Sequence, residues 1–335
     1  MLREQWYVVL ESRELGRRPI GLTRLGERLI FWRDAEGRAV CHYDRCAHRG
    51  ASLAPGSVVD GCRIQCPFHG LEYDATGACR LIPANGREAA VPAGFALRTY
   101  PCHEAQGFIW IYWGETQPSA PPLFFDDIPE DMVYSTVQDP WKVHYSRTVE
   151  NQLDMAHLPF VHHNTIGRGN RKVVDGPGIL KVEEGFFVYV YNRADDGSPA
   201  RRSEEVPVPN PASDYKLEFR FPNLWENRIG EKVRVLAAFV PVDDENMIMY
   251  LRFYQSFMKL PLLSGLIGLV GKLANLVIAH QDRRVVETQL PRSGGSGRGE
   301  LLFPGDRAIM EYRKMRAAAL AKAGSPSPVG AKTLS

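Results

Sequence analysis

Cys46-Ala47-His48, then seventeen residues, then Cys66-Pro67-Phe68-His69 is the stretch on which this chain turns. Two thiolates and two imidazoles arrive as a pair of short pincers, each joining one sulfur ligand to one nitrogen ligand. Four cysteines would suit an ordinary iron–sulfur cluster. Histidines in place of two of them, on one iron of a [2Fe–2S] centre, raise its reduction potential. Zinc also accepts two cysteines and two histidines. Zinc fingers, however, usually pair Cys with Cys and His with His, and here the order is Cys-x-His and Cys-x-x-His. Arg49-Gly50 after the first pincer and Gly70 after the second agree with iron. Such a centre carries electrons and performs no substrate chemistry alone.

At 335 residues and 37.6 kDa the chain is long enough for two domains. Its 44% hydrophobic and 24% charged content is that of a soluble globular protein. A formal net charge of +2 gives no reason to expect a nucleic-acid partner. Cys41, Cys62, Cys79 and Cys102 form no dense disulfide framework, and Met1-Leu2-Arg3-Glu4 does not open a signal peptide. Reduced thiols and a cytoplasmic location are expected.

Outward from the pincers, the texture changes twice. Trp6–Leu10, Arg28–Trp32 and Gly107–Trp113 are aromatic and β-branched runs bounded by turn residues, which predicts strands with both pincers on loops. Gln117-Pro-Ser-Ala-Pro-Pro122 marks a boundary, giving domains at 1–115 and 116–323 and a disordered tail at 324–335. Beyond the boundary, strand-like runs at 185–191, 232–240 and 246–254 alternate with helical ones. Residues 305–320 read as a helix with Asp306 as N-cap.

A second constellation is Glu150-Asn151-Gln-Leu-Asp154-Met-Ala-His157-Leu-Pro-Phe-Val-His162-His163. Asn151, Asp154 and His157 are spaced three apart and on a helix would share a face. Pro159 should then end or kink that helix and let His162 swing back toward His157. Two imidazoles and a carboxylate on one side of a metal make the facial triad of a non-haem Fe(II) oxygenase. The plainer alternative is a polar helix start beside surface histidines.

The two motifs in this order, about eighty residues apart, resemble the α subunits of Rieske non-haem iron oxygenases, and the resemblance covers roughly residues 5 to 320. It implies an α+β chain: an N-terminal all-β Rieske [2Fe–2S] domain, then a helix-grip catalytic domain with a curved antiparallel sheet and helices. By resemblance, Cys46 and Cys66 bind one iron of the cluster and His48 and His69 the other. His157 and His162 hold a mononuclear Fe(II), with His163 as a rival for the last role. The third ligand in such proteins is an Asp in a pattern like Asp-x₄-Glu, here Asp282 within His280-Gln-Asp-Arg-Arg-Val-Val-Glu287. Asp243, Asp244 and Glu245 are alternatives that read as a turn. Asp154 would link this iron's histidine to a Rieske histidine of a neighbouring subunit, which implies a head-to-tail ring, a homotrimer.

Leu260–Ala279 is apolar over nearly the length of a membrane span. A carboxylate at Asp282 cannot serve an iron held by His157 and His162 if the preceding helix has crossed a membrane, so no transmembrane span is expected. Gly265, Gly268 and Gly271 recur every three residues, which suggests close packing on one face; the alternative is a greasy substrate mouth or a membrane-surface contact. Leu71 stands where relatives often carry Trp. Gly294-Gly-Ser-Gly-Arg-Gly299 is a flexible loop and no dinucleotide fingerprint, so electrons from NAD(P)H should come through a separate reductase or ferredoxin.

The expected activity is that of a terminal oxygenase using O₂ to hydroxylate or oxidatively demethylate a small organic, aromatic or hydrophobic, substrate. Arene cis-dihydroxylation is the second reading; a Rieske electron carrier with a binding domain is a third, of different class. Arg168, Asn170 and Arg171 form either a carboxylate-recognising lid or a solvated loop.

Overall fold

The computed structural model describes residues 1–210, 216–295 and 299–324. The expected tail beyond Gly324, and residues 296–298 of the glycine-rich loop, lie outside these.

The aromatic and β-branched runs of the first third become β1 (Gln5–Glu11), β2 (Ile20–Arg24), β3 (Glu27–Arg33), β4 (Ala39–Tyr43), β5 (Ser57–Val59), β6 (Arg63–Gln65), β7 (Glu72–Asp74), β8 (Cys79–Leu81), β9 (Thr99–Tyr100), β10 (Cys102–Ala105) and β11 (Phe108–Trp113). They pair as three sheets, ordered β1-β11-β10, β2-β3-β4-β9 and β5-β6-β7-β8. The loops after β4 and β6 carry the two pincers. A core of Ile30, Trp32, Leu53, Ile64, Leu71 and Tyr73 packs directly beneath them.

The remainder is built on β12 (Val133–Trp141), β13 (Val173–Val182), β14 (Gly185–Arg193), β15 (Lys216–Arg220), β16 (Leu224–Gly230), β17 (Val233–Pro241) and β18 (Met247–Gln255). These form one seven-stranded antiparallel sheet, ordered β12-β18-β17-β16-β15-β14-β13. Among the described residues, four α-helices accompany it: α1 (Tyr145–Leu153), α2 (Leu158–Val161), α3 (Pro261–Val286) and α4 (Arg307–Gly324). An all-β first part followed by a large sheet with helices is the expected class.

The two parts are not separate bodies. One apolar cluster joins Tyr7, Phe31 and Ile109 to Trp141, Tyr145 and Met249. Beside it the fully buried Arg252 of β18 donates to Glu11 Oε1 at 3.0 Å and to the carbonyls of Gln106 and Gly107 at 2.6 and 2.7 Å. A guanidinium shut away from water needs such partners, and these three come from the N-terminal part, with the Tyr254 hydroxyl of β18 accepting a fourth bond at 3.0 Å.

Alternation along β16 assigns the faces of the large sheet. Trp225 and Asn227 face the helices, whereas Glu226 faces an ion-pair knot with Arg234 at 3.2 Å and, through Arg234 and Lys216, with Asp127. Asp127, Glu218 and Glu226 lie close enough together to suggest a cation site. Lys216 and Arg234 already stand among them, so this is a compensated charge cluster.

Helix α3 crosses β12 and β18 on its small face. A methyl added at Gly268 would stand 3.1 Å from Ser135 Cβ, and one at Gly271 2.6 Å from the Phe253 ring. Gly268 and Gly271 therefore serve close packing against the sheet, whereas a methyl at Gly265 would meet nothing within 4 Å. The outer face is the unusual one, with Leu262, Leu266, Leu269, Leu273 and Val277 all exposed. The helix is long and apolar enough to cross a membrane. Its last turns instead carry Asp282, 1% exposed, into the domain.

Candidate functional site

The first cluster of candidate ligands sits on two loops of matching form. Gly50 N–H donates to Cys46 O at 2.9 Å and Cys46 N–H to Ala51 O at 2.8 Å. The second loop repeats this, with Gly70 to Cys66 at 3.0 Å and Cys66 to Leu71 at 2.8 Å. Gly50 and Gly70 have φ of 75° and 73°, the left-handed region that other residues enter at a cost. Each loop thus turns back after its histidine.

The turns bury both cysteines and leave both histidines exposed, with the imidazole centroids of His48 and His69 only 4.8 Å apart. The Tyr73 hydroxyl lies 3.2 Å from Cys46 Sγ, and burial pushes the Cys66 thiol above its usual range. Two inner sulfurs and two outer imidazoles fit a [2Fe–2S] cluster with mixed ligation. Leu71, in place of an aromatic, is buried in the core beneath the cluster loops.

The second candidate centre differs from expectation in its local path. Asn151, Asp154 and His157 do not share one helix. α1 ends at Leu153, because Asp154 adopts an extended ψ of 117° and its Oδ1 accepts from Ala156 N–H at 2.7 Å. His157 then begins α2 as its N-cap, and Pro159 lies near the start of that short helix. There its missing N–H costs nothing, so the proline helps to open a helix where it was expected to end one. A one-turn helix brings His162 back to His157, with ring centroids 5.1 Å apart.

Asp282 arrives from α3. Its Oδ1 lies 2.9 Å from His162 Nε2 and 3.4 Å from His157 Nε2. The three candidate ligand atoms fall within 4.8 Å of one another. Burial raises the Asp282 carboxyl, and the two imidazoles more than reverse this, holding it down at about 2. Burial likewise lowers His157, and Asp154 and Asp282 outweigh it to lift the ring to about 9. Two imidazoles, which would bind a cation in their neutral form, and one carboxylate, mutually close and largely shut from water, fit a divalent iron with open positions. His163 is exposed, with Nδ1 3.1 Å from Phe160 O. Asp243 accepts from Glu245 and Asn246 N–H in a turn, as expected.

Asp154 stands behind His157, its Oδ2 3.6 Å from Nδ1 and its side chain 27% exposed. That distance is long for a hydrogen bond and short for an electrostatic partner. Gln281, which sequence reasoning passed over, is the counterpart behind His162. Its Oε1 lies 2.8 Å from His162 Nδ1 and accepts from Thr165 Oγ1 at 2.8 Å, and its Nε2 donates to Asn164 Oδ1 at 2.8 Å. No signal in the chain separates this glutamine from any other polar helix residue; its role comes from the turn of α3 beside α2.

A cavity of about 350 Å³ opens over the three residues, walled mainly by apolar side chains of β15 to β18 and α3. Arg168 and Arg171 do not line it; Arg168 donates to Asn164 O at 2.7 Å, and both are exposed.

The chain matches two families, the Rieske [2Fe–2S] domain over residues 5–101 and the vanillate O-demethylase oxygenase C-terminal domain over residues 141–322. It is 34% identical to a putative toluene-4-sulfonate monooxygenase iron–sulfur subunit of Comamonas testosteroni, over 50% of this chain and 48% of that protein. It is 35% identical to the oxygenase component of dicamba O-demethylase of Stenotrophomonas maltophilia, over 54% and 55%. A methylxanthine N1-demethylase of Pseudomonas putida is 27% identical over 93% of this chain and 88% of its own. The chain thus spans only about half the length of several curated relatives it matches.

In fold it is similar to the solved NdmA of Pseudomonas putida CBB5, with a TM-score of 0.77, 22% identity, and coverage of 96% and 91%. The C-terminal family alone accounts for more than half of the residues. Together with the Rieske domain ahead of it, that match shows that the chain belongs to the α subunits of Rieske non-haem iron oxygenases of the vanillate O-demethylase type.

Proposed function

We propose that this chain is a terminal oxygenase component that uses O₂ and two external electrons to hydroxylate or oxidatively demethylate a small organic substrate. The observation that carries it is the meeting of His157, His162 and Asp282 at an apolar cavity, in a chain that also carries the Cys46, His48, Cys66 and His69 loops. Cys46, His48, Cys66 and His69 would hold a [2Fe–2S] cluster, and His157, His162 and Asp282 a mononuclear Fe(II). When bound, the cluster supplies single electrons at a raised potential and the iron supplies O₂ activation.

The chain's own contributions are positional. Gln281 accepts the Nδ1 proton of His162 and so leaves Nε2 as the donor beside Asp282. Asp154 faces Nδ1 of His157 at 3.6 Å as an electrostatic partner from a partly exposed position, open to a histidine of a second subunit. That placement supports a ring in which cluster and iron meet across a subunit boundary, and the head-to-tail homotrimer belongs to this proposal. So do a division near residues 115 and 116, a reductase or ferredoxin partner bringing electrons from NAD(P)H, and a reducing, cytoplasmic setting, supported by six unpaired cysteines.

The test is product formation with a surrogate reductase under ¹⁸O₂, with iron measured in the same sample. An oxygenase should hold about three irons per chain. It should release hydroxylated product carrying the label, or formaldehyde from a methyl ether or methylamine. A stable content of about two irons with no product from a broad panel would favour an electron carrier.

A further inference from the structure

The wall of the cavity over His157, His162 and Asp282 has a definite chemical character. Among the described residues lining it there is no lysine and no arginine. Its one carboxylate, Asp282, is already engaged by two imidazoles. An anion moved from water into such a place would find no lysine or arginine to replace its hydration, and both imidazoles are already engaged by Asp282. An ammonium would find no free carboxylate. Both charged classes are poorly served.

What the wall offers is neutral polarity at a few points. Asn227 comes from β16 and Asn275 from α3, so the sheet and the helix each contribute one amide. Asn227 Oδ1 and Asn275 Nδ2 are shut from water and have no hydrogen-bond partner among the described residues. The indole Nε1 of Trp225, two residues before Asn227 on the same strand face, is likewise unpartnered. Buried polar atoms are normally satisfied, so three such atoms around one cavity are costly in the chain alone. A ligand with a neutral polar group can satisfy them. The other contacts, from Leu217, Val235, Met249, Leu251 and Ile278, are apolar.

We infer that the substrate is an uncharged, mainly apolar molecule with a neutral hydrogen-bonding group (carbonyl, carboxamide or ether) met by Asn227, Asn275 and Trp225, and is neither a carboxylate nor an amine. The inference rests on the oxygenase reading only in naming this cavity as the substrate site. Arg168 and Arg171, the basic side chains that follow His162, lie outside the wall and do not alter its charge.

The experiment measures binding, without turnover, to the reduced holoprotein under anaerobic conditions. The probes are matched sets of aromatic carboxamide, carboxylate, methylamine and unsubstituted hydrocarbon on one-ring and two-ring bodies. In sets that bind, the carboxamide should exceed both charged members by about tenfold or more. Asn227→Leu and Asn275→Leu should each remove most of that advantage without loss of hydrocarbon binding, which also shows the cavity is intact. Asn227→Asp, nearly isosteric, should shift preference toward the methylamine. Three results would overturn the inference. One is carboxylates binding as tightly as carboxamides; another is an unchanged preference in both leucine variants; the third is no neutral probe binding below about 1 mM. Turnover then separates the two claims. Selective neutral binding with no product from any bound probe counts against the oxygenase reading alone. Oxygenation of carboxylates with neutral analogues inert counts against this inference alone.

Discussion

His162 Nδ1 and Gln281 Oε1 lie 2.8 Å apart, and Gln281 immediately precedes Asp282 on α3. One turn of helix thus delivers both a proposed iron ligand and the group that fixes the tautomer of another. The glutamine is itself held, by Thr165 at its oxygen and Asn164 at its nitrogen. Its amide orientation follows from those partners.

Gln281→Leu should therefore weaken metal binding without touching a ligand. A loss of about 10- to 100-fold in affinity for Fe(II) or Co(II) is expected, the usual range for groups that orient a histidine ligand. Gln281→Glu keeps an acceptor at Oε1 and should recover most of the affinity. Metal titration followed by d–d absorption of Co(II) reads this directly. Equal affinities for wild type and the leucine variant would leave His162 oriented by packing alone.

The two centres should be separable by substitution. Cys46→Ser or His69→Ala should abolish the visible cluster spectrum, since each removes one of the four expected ligands. His157→Ala, His162→Ala and Asp282→Ala should keep a reducible cluster and lose product formation. If Asp282→Ala retained mononuclear iron and near-normal turnover, the carboxylate ligand would have to come from elsewhere.

These residues differ in how legible they were. The strands and the cluster loops follow from local sequence, because alternation, glycine turns and ligand spacing are all short-range signals. Asn151, Asp154 and His157 looked like one helix face because spacing alone cannot show Asp154 spending its carboxylate on Ala156 N–H and ending α1. The packing role of Gly268 and Gly271 on α3 follows from their spacing, while the sequence leaves open the choice between a packed and an exposed apolar face, since burial is a tertiary property. Gln281, Asn227 and Asn275 carry no sequence signal at all. Their roles depend on how α3 lies over α2 and β16.

His42, on β4, predicts an acid-sensitive stability. It is fully buried, and neither ring nitrogen has a partner among the described residues. Burial lowers its pKa from 6.5 to about 4, and Asp74 opposes this only in part. Protons therefore bind the unfolded chain more readily between these values. The folded state loses stability as pH falls from about 6.5 to about 4, and the loss levels off below that. The full effect is roughly 3 kcal/mol at about 1.4 kcal/mol per unit. His42→Phe removes both the orphan nitrogens and the titration. Its melting temperature should fall less between pH 7 and pH 5 than that of wild type. Parallel pH dependence in the two proteins would mean that the His42 ring finds a proton partner.

Asp154 tests the assembly as well as the residue. Its Oδ2 stands 3.6 Å from His157 Nδ1, and its side chain is 27% exposed, so a second imidazole can reach the other side of the carboxylate. Asp154→Asn keeps the shape and removes the charge. The cluster should still reduce and the mononuclear iron should largely remain, while electron transfer between them falls by about 100-fold or more, at or beyond the upper end of the range for ligand-orienting groups. Rapid-reaction measurement of cluster reoxidation separates this from a folding defect. A mixing assay then asks where the electron crosses. His69→Ala and His157→Ala chains, each inactive alone, are combined under conditions that exchange subunits. In a ring, an intact cluster on the His157→Ala chain faces an intact iron site on the His69→Ala chain, and part of the activity should return. Mixed oligomers verified by mass that show no recovered turnover would rule out transfer between subunits. Asp154 would then act only on His157 and on the turn that it makes with Ala156.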